Sequence, residues 1–193
     1  MGQFSSRSDG ELWRLARTEP DAFGELFERH ARAVYAFCAR RTASLSVAED
    51  LTSVVFLEAW KQRARVEISG GAVLPWLLGV ANNVARNWQR ALRRHQAALA
   101  RLPVAAAFDS EEDEVTARVD VERSLAAAQA AIDALPPGER DVAALVLWGG
   151  LSYEQAAQAL TLPVGTVQSR LARARRKLQR SLPTLIPTVK ESR

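Results

Sequence analysis

Cysteine is nearly missing: Cys38 is the only one in 193 residues. A lone thiol closes no internal disulfide, so Cys38, between Phe37 and Ala39, is read as a small buried or half-buried hydrophobe. Histidine is almost as scarce. His30 and His95 are far apart, with no cysteine cluster near either, which removes metal-site spacing. No Gly-rich run ending in Gly-Lys-Ser/Thr occurs, so that phosphate loop is excluded. No apolar stretch reaches transmembrane length. The opening MGQFSSRSDGELW carries charge where a secretory signal has an apolar core, so the expected location is the cytoplasm. No segment alternates at period two, which argues against a sheet. These absences point away from an enzyme, and no cofactor is expected.

Hydrophobic residues make up 48% and charged residues 25%, enough for most of the chain to fold. Aromatics are few, yet five are Trp, which suits small helical cores pinned by large side chains. The formal charge is only +4, so its distribution matters more than its sum. Residues 20–102 are rich in Ala, Leu, Arg and Trp at helical spacing. Residues 103–122 gather Asp109, Glu111, Glu112, Asp113, Glu114, Asp120 and Glu122 against Arg118. Residues 123–182 are helical again and end strongly basic. The expected architecture is all-α: two small helical domains, 20–102 and 123–182, joined by an acidic linker. Residues 1–19 are left as an extension and 183–193 as a tail.

The first domain divides at its breakers. One helix is expected from Pro20 or Asp21 to Arg41, burying Phe23, Leu26, Phe27, His30, Val34 and Phe37 as one stripe. His30 then reads as a satisfied core or boundary histidine. Ser46 with Glu49 has capping-box spacing and opens a helix carrying Leu51, Val54, Val55, Phe56, Leu57 and Trp60. Gly70-Gly71 marks a loop, and Pro75 fits the first turn of a third helix. There Leu77, Val80, Val84, Trp88 and Leu92 make the expected core stripe. Asn83, Asn87, Arg90 and Arg94 line a second stripe, with Arg86, Arg93 and His95 nearby. Asn suits base edges and Arg suits phosphate or guanine. Taken alone, the stripe reads more readily as a solvated basic face.

The second domain is sharper. Pro136-Pro137-Gly138 precedes a helix carrying Val142, Leu145, Val146 and Trp148, ended by Gly149-Gly150. Ser152, with Gln155 at the capping-box position, starts a short helix that turns Tyr153, Ala156, Ala157 and Leu160 inward. A tight turn, Thr161-Leu162-Pro163, leads to a final helix. Val167, Leu171, Ala174 and Leu178 face its core, and Thr166, Ser169, Arg173, Arg176 and Arg180 face out. Small-polar residues followed by arginines, after a capped helix and a tight turn, describe a major-groove reader. No acid occurs between Glu154 and Glu191, so nothing in that stretch repels a phosphate backbone.

The segment LPPGERDVAALVLWGGLSYEQAAQALTLPVGTVQSRLARARRKL, residues 135–178, closely resembles the fourth conserved region of bacterial RNA polymerase sigma factors. AEDLTSVVFLEAW, residues 48–60, looks like the helix that docks on the polymerase clamp. LPWLLGVANNVARNWQRALRR, residues 74–94, looks like the helix that melts and reads the promoter. Two domains and a short acidic linker resemble the extracytoplasmic-function class. The resemblance implies docking roles for Asp50, Leu51, Ser53, Phe56 and Trp60. It implies −10 recognition by Asn83, Arg86, Asn87 and Arg90, and base capture by the loop 65–73. It implies −35 recognition by Thr166, Gln168, Ser169, Arg170, Arg173 and Arg176. The implied partners are core RNA polymerase, promoter DNA and an anti-sigma factor, and the implied genes serve stress or envelope responses. The linker's position resembles one that threads the polymerase RNA path, and a solubilising spacer explains its composition as well. Two departures stand out: Ser53-Val54 replaces the usual Gln-Glu, and Thr161 stands where the turn often has Gly. A left-handed Thr costs roughly 1 kcal/mol, which predicts a differently shaped turn. A regulator binding DNA by itself as a dimer is the competing reading.

Overall fold

The computed structural model describes residues 4–68, 71–100 and 116–181, and every regular element among them is helical. In order these are α1 (Asp9–Leu15), α2 (Pro20–Thr42), α3 (Leu45–Gln62), α4 (Val73–Leu99), α5 (Thr116–Asp133), α6 (Pro137–Ala143), α7 (Tyr153–Leu160) and α8 (Val164–Ser181). A π-turn, Ala144–Trp148, prolongs α6. Helices α1–α4 pack as one bundle and α5–α8 as a second, while α4 also meets α7 and α2 meets α5.

Local chemistry sets the boundaries. Ser8 and Glu11 form a reciprocal capping box that starts α1. Leu12 and Trp13 are fully buried, so the segment expected as an extension belongs to the first core. Pro20 occupies the first turn of α2, where its missing N–H costs nothing. That helix ends at Ala43 in the left-handed region, φ 54°.

The cap expected at Ser46 is not formed. Helix α3 begins two residues earlier, with Ser44 at the N-cap position, and the Ser44 side chain makes no capping bond. Instead Glu122, expected in the linker, accepts a hydrogen bond from the Leu45 N–H at 2.8 Å. A distant carboxylate satisfies an orphan amide and complements the helix dipole, which no local spacing signals.

The α4 core stripe is also displaced. Leu77 is buried, but Val80, Val84 and Trp88 are half-buried and Leu92 is exposed. The buried line runs through Leu78, Ala81, Asn82, Ala85 and Gln89. Its partners are Gly149, beside Leu78; Asp141 of α6, bonded to Asn82 at 3.1 Å; and Arg41 of α2, bonded to Gln89. Gly79 in turn lets α7 approach so closely that a Cβ there would sit 3.2 Å from Ala159 Cβ. Likewise Phe27, Val54 and Leu57, expected inside, are exposed at 41%, 40% and 52%.

Behind α4 lies a buried polar centre. Arg41 is fully buried; the Gln89 side chain donates to its carbonyl at 2.7 Å, and the Asp133 carboxylate lies 4.0 Å from its guanidinium. Burial pulls the Arg41 pKa down, with Asp133 and Asp141 opposing. Cys38 is buried as expected, and burial pushes its thiol up to about 12. His30 is satisfied at the core boundary by the Asp9 carboxylate, 2.6 Å from its Nε2.

Candidate nucleic-acid interface

The second bundle forms its helix-turn-helix from α7 and α8. The Ser152–Gln155 box forms as expected: the Gln155 N–H donates to Ser152 Oγ at 3.2 Å, and the Ser152 N–H to Gln155 Oε1 at 2.9 Å. Ala156 and Ala157 are buried against the neighbouring helices. Thr161 closes α7 at φ 54°, ψ 50°, its N–H returned to the Ala157 and Gln158 carbonyls. The turn therefore keeps the left-handed shape despite its Thr, contrary to expectation. Those backbone bonds, with the Leu162 N–H to Ala157 O at 2.9 Å, hold it against the side-chain preference.

Val167, Leu171, Ala174 and Leu178 bury the inner face of α8. Gln168, Ser169, Arg173 and Arg176 are exposed on the outside, and Thr166 is half-buried. Arg170 departs from this face. Its guanidinium lies against α6, where Gly138 makes room: a Cβ there would sit 2.9 Å from Nη1. Glu139, missed from the sequence, is buried beneath α8. It binds Lys177 Nζ at 2.8 Å and lies 3.6 Å from Arg173 Nε. The long acid-free stretch did not exclude an acid contributed by another helix.

On α4, Asn83, Arg86, Asn87 and Arg90 are all exposed, and so are Arg93, Arg94 and His95. Arg90 donates to the Asn87 side-chain oxygen at 2.6 Å, and Arg86 to that of Asn83 at 3.2 Å. Each guanidinium thereby fixes which way an amide points. Asn87, Arg90, Arg93 and Arg94 line a basic cleft of about 460 Å³. Arg86 also reaches Asp141 of the second bundle at 3.4 Å.

The expected docking set splits. Asp50 and Ser53 are exposed, whereas Leu51 and Phe56 are core residues. Trp60 is half-buried, edge-on to Phe23 and covered by the Arg63 guanidinium at 3.4 Å. The exposed apolar side chains on this surface are Val54, Leu57 and, edge-on to Phe56, Phe27. The detectable signal was their excess: more apolar residues than one buried stripe can hold. Of the loop 65–73, residues 69–70 lie outside the described residues, as does the acidic run 109–114.

Comparison with known proteins matches this arrangement twice. Residues 26–96 match the Sigma-70 region 2 family and residues 125–178 match Sigma-70 region 4. RNA polymerase sigma factor CarQ of Myxococcus xanthus is 32% identical over 169 residues, covering 86% of this chain and 91% of CarQ. Probable RNA polymerase sigma factor RfaY of Xanthomonas campestris is 29% identical over 89% of this chain, which spans only 43% of that longer relative. Among solved structures, sigma factor RpoE from Bartonella quintana, in complex with the anti-sigma factor NepR, shares the fold. Its TM-score is 0.59 at 24% identity, over 85% of this chain and 98% of that one.

A chain of this build, with both regions in order, belongs to the sigma factor family of RNA polymerase and is a transcription initiation factor. Its relatives also include ECF RNA polymerase sigma factors matched over most of their length, and it falls in that extracytoplasmic-function branch. No helix among the described residues is long and apolar enough to cross a membrane.

Proposed function

We propose that this chain brings core RNA polymerase to its promoters through three surfaces with separate tasks. The α3 face of Asp50, Ser53, Val54 and Leu57, joined by Phe27, docks on the polymerase. Exposed apolar groups ringed by polar ones are what a protein partner covers. On α4, Asn83 and Asn87 take base edges of the −10 element while Arg86 and Arg90 hold the amides and the backbone. On α8, Thr166, Gln168, Ser169, Arg173 and Arg176 read the −35 element, and Arg170 fixes α8 to α6. The carrying observation is that two outward stripes, Asn/Arg on α4 and Ser/Arg on α8, lie on different helices of one chain, which a single duplex contact does not require.

The protein acts without catalysing a reaction, in the cytoplasm, on stress or envelope genes, and an anti-sigma factor restrains it. The Bartonella neighbour, captured with such a factor, supports that partner. Run-off transcription tests the whole reading: core polymerase with this chain should start RNA at discrete sites on genomic fragments from the same organism. Footprinting without polymerase tests the rival dimeric regulator. Strong duplex protection by the chain alone, with no polymerase-dependent start sites, would overturn the sigma role.

A further inference from the structure

The N-terminal helix α1 carries no role so far, yet it touches both described ends of the loop 65–73. Trp13 is fully buried, and its indole N–H donates to the Val66 carbonyl at 2.9 Å. Its ring packs edge-on to Trp76, at the start of α4, with centroids 4.8 Å apart. One helical turn earlier, Gly10 lies against the other end: a Cβ there would sit 3.0 Å from Gly71 Cα and 3.3 Å from Gly71 O. Gly71 itself has φ 72°, a conformation that resists substitution.

The helix is held from α2, independently of the loop. Arg29 donates to the Arg7, Ser5 and Phe4 carbonyls at 2.8, 3.0 and 3.2 Å. It also pairs with Asp9 at 3.2 Å, and His30 holds the other oxygen of that carboxylate. A support fixed to the core on one side, with a hydrogen bond and a backbone contact on the other, sets where a loop begins and ends.

We infer that α1 is a brace for the strand-opening loop, with Trp13 and Gly10 as positioning residues for capture of an unpaired promoter base. This rests on the loop being the base-capturing element. Two substitutions separate positioning from folding. Trp13→Phe keeps an aromatic ring and removes the N–H. Gly10→Ala raises the helix propensity of α1 and pushes its new methyl into the Gly71 backbone. Each should slow open-complex formation on duplex promoter roughly three- to tenfold, the worth of one hydrogen bond. Holoenzyme assembly and −35 duplex binding should stay at parental levels.

The same kinetics on promoters with one abasic site in the −10 region provide the specific readout. The parent should be slowed by an abasic site at the captured position, and both variants should be less sensitive to it. If no abasic position slows the parent, base capture by the loop fails. If the parent is sensitive and the variants match it in rate and sensitivity, the brace alone fails. Loss of assembly in step with opening would make Trp13 only a core residue and would also overturn the inference.

Discussion

Asp141, on the helix before the helix-turn-helix, takes a hydrogen bond from the fully buried Asn82 of α4 at 3.1 Å, and its second oxygen lies 3.4 Å from Arg86. The two bundles are thus latched through Asn82, the neighbour of Asn83, which is proposed to read the −10 element. Arg40 adds a bond to the Trp148 carbonyl at 3.1 Å. Asp141→Ala leaves Asn82 without its acceptor and should weaken the closed arrangement by about 1–3 kcal/mol. Small-angle scattering should then report a larger radius of gyration for the free protein. A profile identical to the parent's would sink the latch.

Glu139 makes a second prediction possible at the −35 reader. Arg173→Ala should cost about 1–3 kcal/mol at one base position if the guanidinium makes a paired contact to guanine. Arg180→Ala should weaken all sequences alike and reduce the salt slope by about 1. Glu139→Gln removes the carboxylate that orients Arg173 and Lys177. Holoenzyme binding to random DNA should tighten while discrimination at the Arg173 position falls. Equal, sequence-blind losses from Arg173→Ala and Arg180→Ala would remove the base-reading role.

The helical architecture was legible because it rests on local patterns: the Ser152–Gln155 box, the Val167–Leu171–Ala174–Leu178 stripe and the exposed Asn83–Asn87–Arg90 line all follow period and spacing. What failed depends on contacts between distant segments. The α4 core line moved because Asn82 and Leu78 meet Asp141 and Gly149 of the second bundle and Gln89 meets the buried Arg41. The α3 cap came from Glu122 across the chain. Of the expected docking set, Leu51 and Phe56 fell in the core because α3 carries exposed and buried apolar residues side by side, and only burial separates Phe56 from Leu57. The brace had a readable sign that was overlooked: Ser8 and Glu11 form a capping box directly ahead of Leu12 and Trp13.

The third prediction concerns stability. Thr161 sits in the left-handed region, where a β-branched residue is strained by about 1–3 kcal/mol. Thr161→Gly relieves that strain, and the added freedom of the unfolded chain returns about 0.4–1 kcal/mol of it. A net gain of about 1 kcal/mol is expected, read as a higher denaturant midpoint at unchanged slope. A lower midpoint would show that Thr161 contributes contacts beyond its backbone.

The final prediction concerns strand opening. Unstacking a base costs a few kcal/mol, so an opening protein must supply replacement contacts. Asn83 and Asn87 are exposed on α4, each held by the arginine three residues on, so their amides are set before DNA arrives. Such preset groups lose little freedom on binding. Neither amide lies on the exposed face of α3 proposed to dock on the polymerase or on α8, the proposed −35 reader. Asn83→Ala and Asn87→Ala should therefore leave holoenzyme assembly and closed-complex binding close to parental levels. Open-complex formation should fall, with permanganate reactivity of unpaired thymines as the direct measure. A pre-melted promoter bubble should restore only part of the loss: it removes the cost of unpairing but not the missing base contacts. Full rescue by the bubble would confine the amides to the melting step, and parental opening on duplex DNA would reduce the stripe to a solvated face.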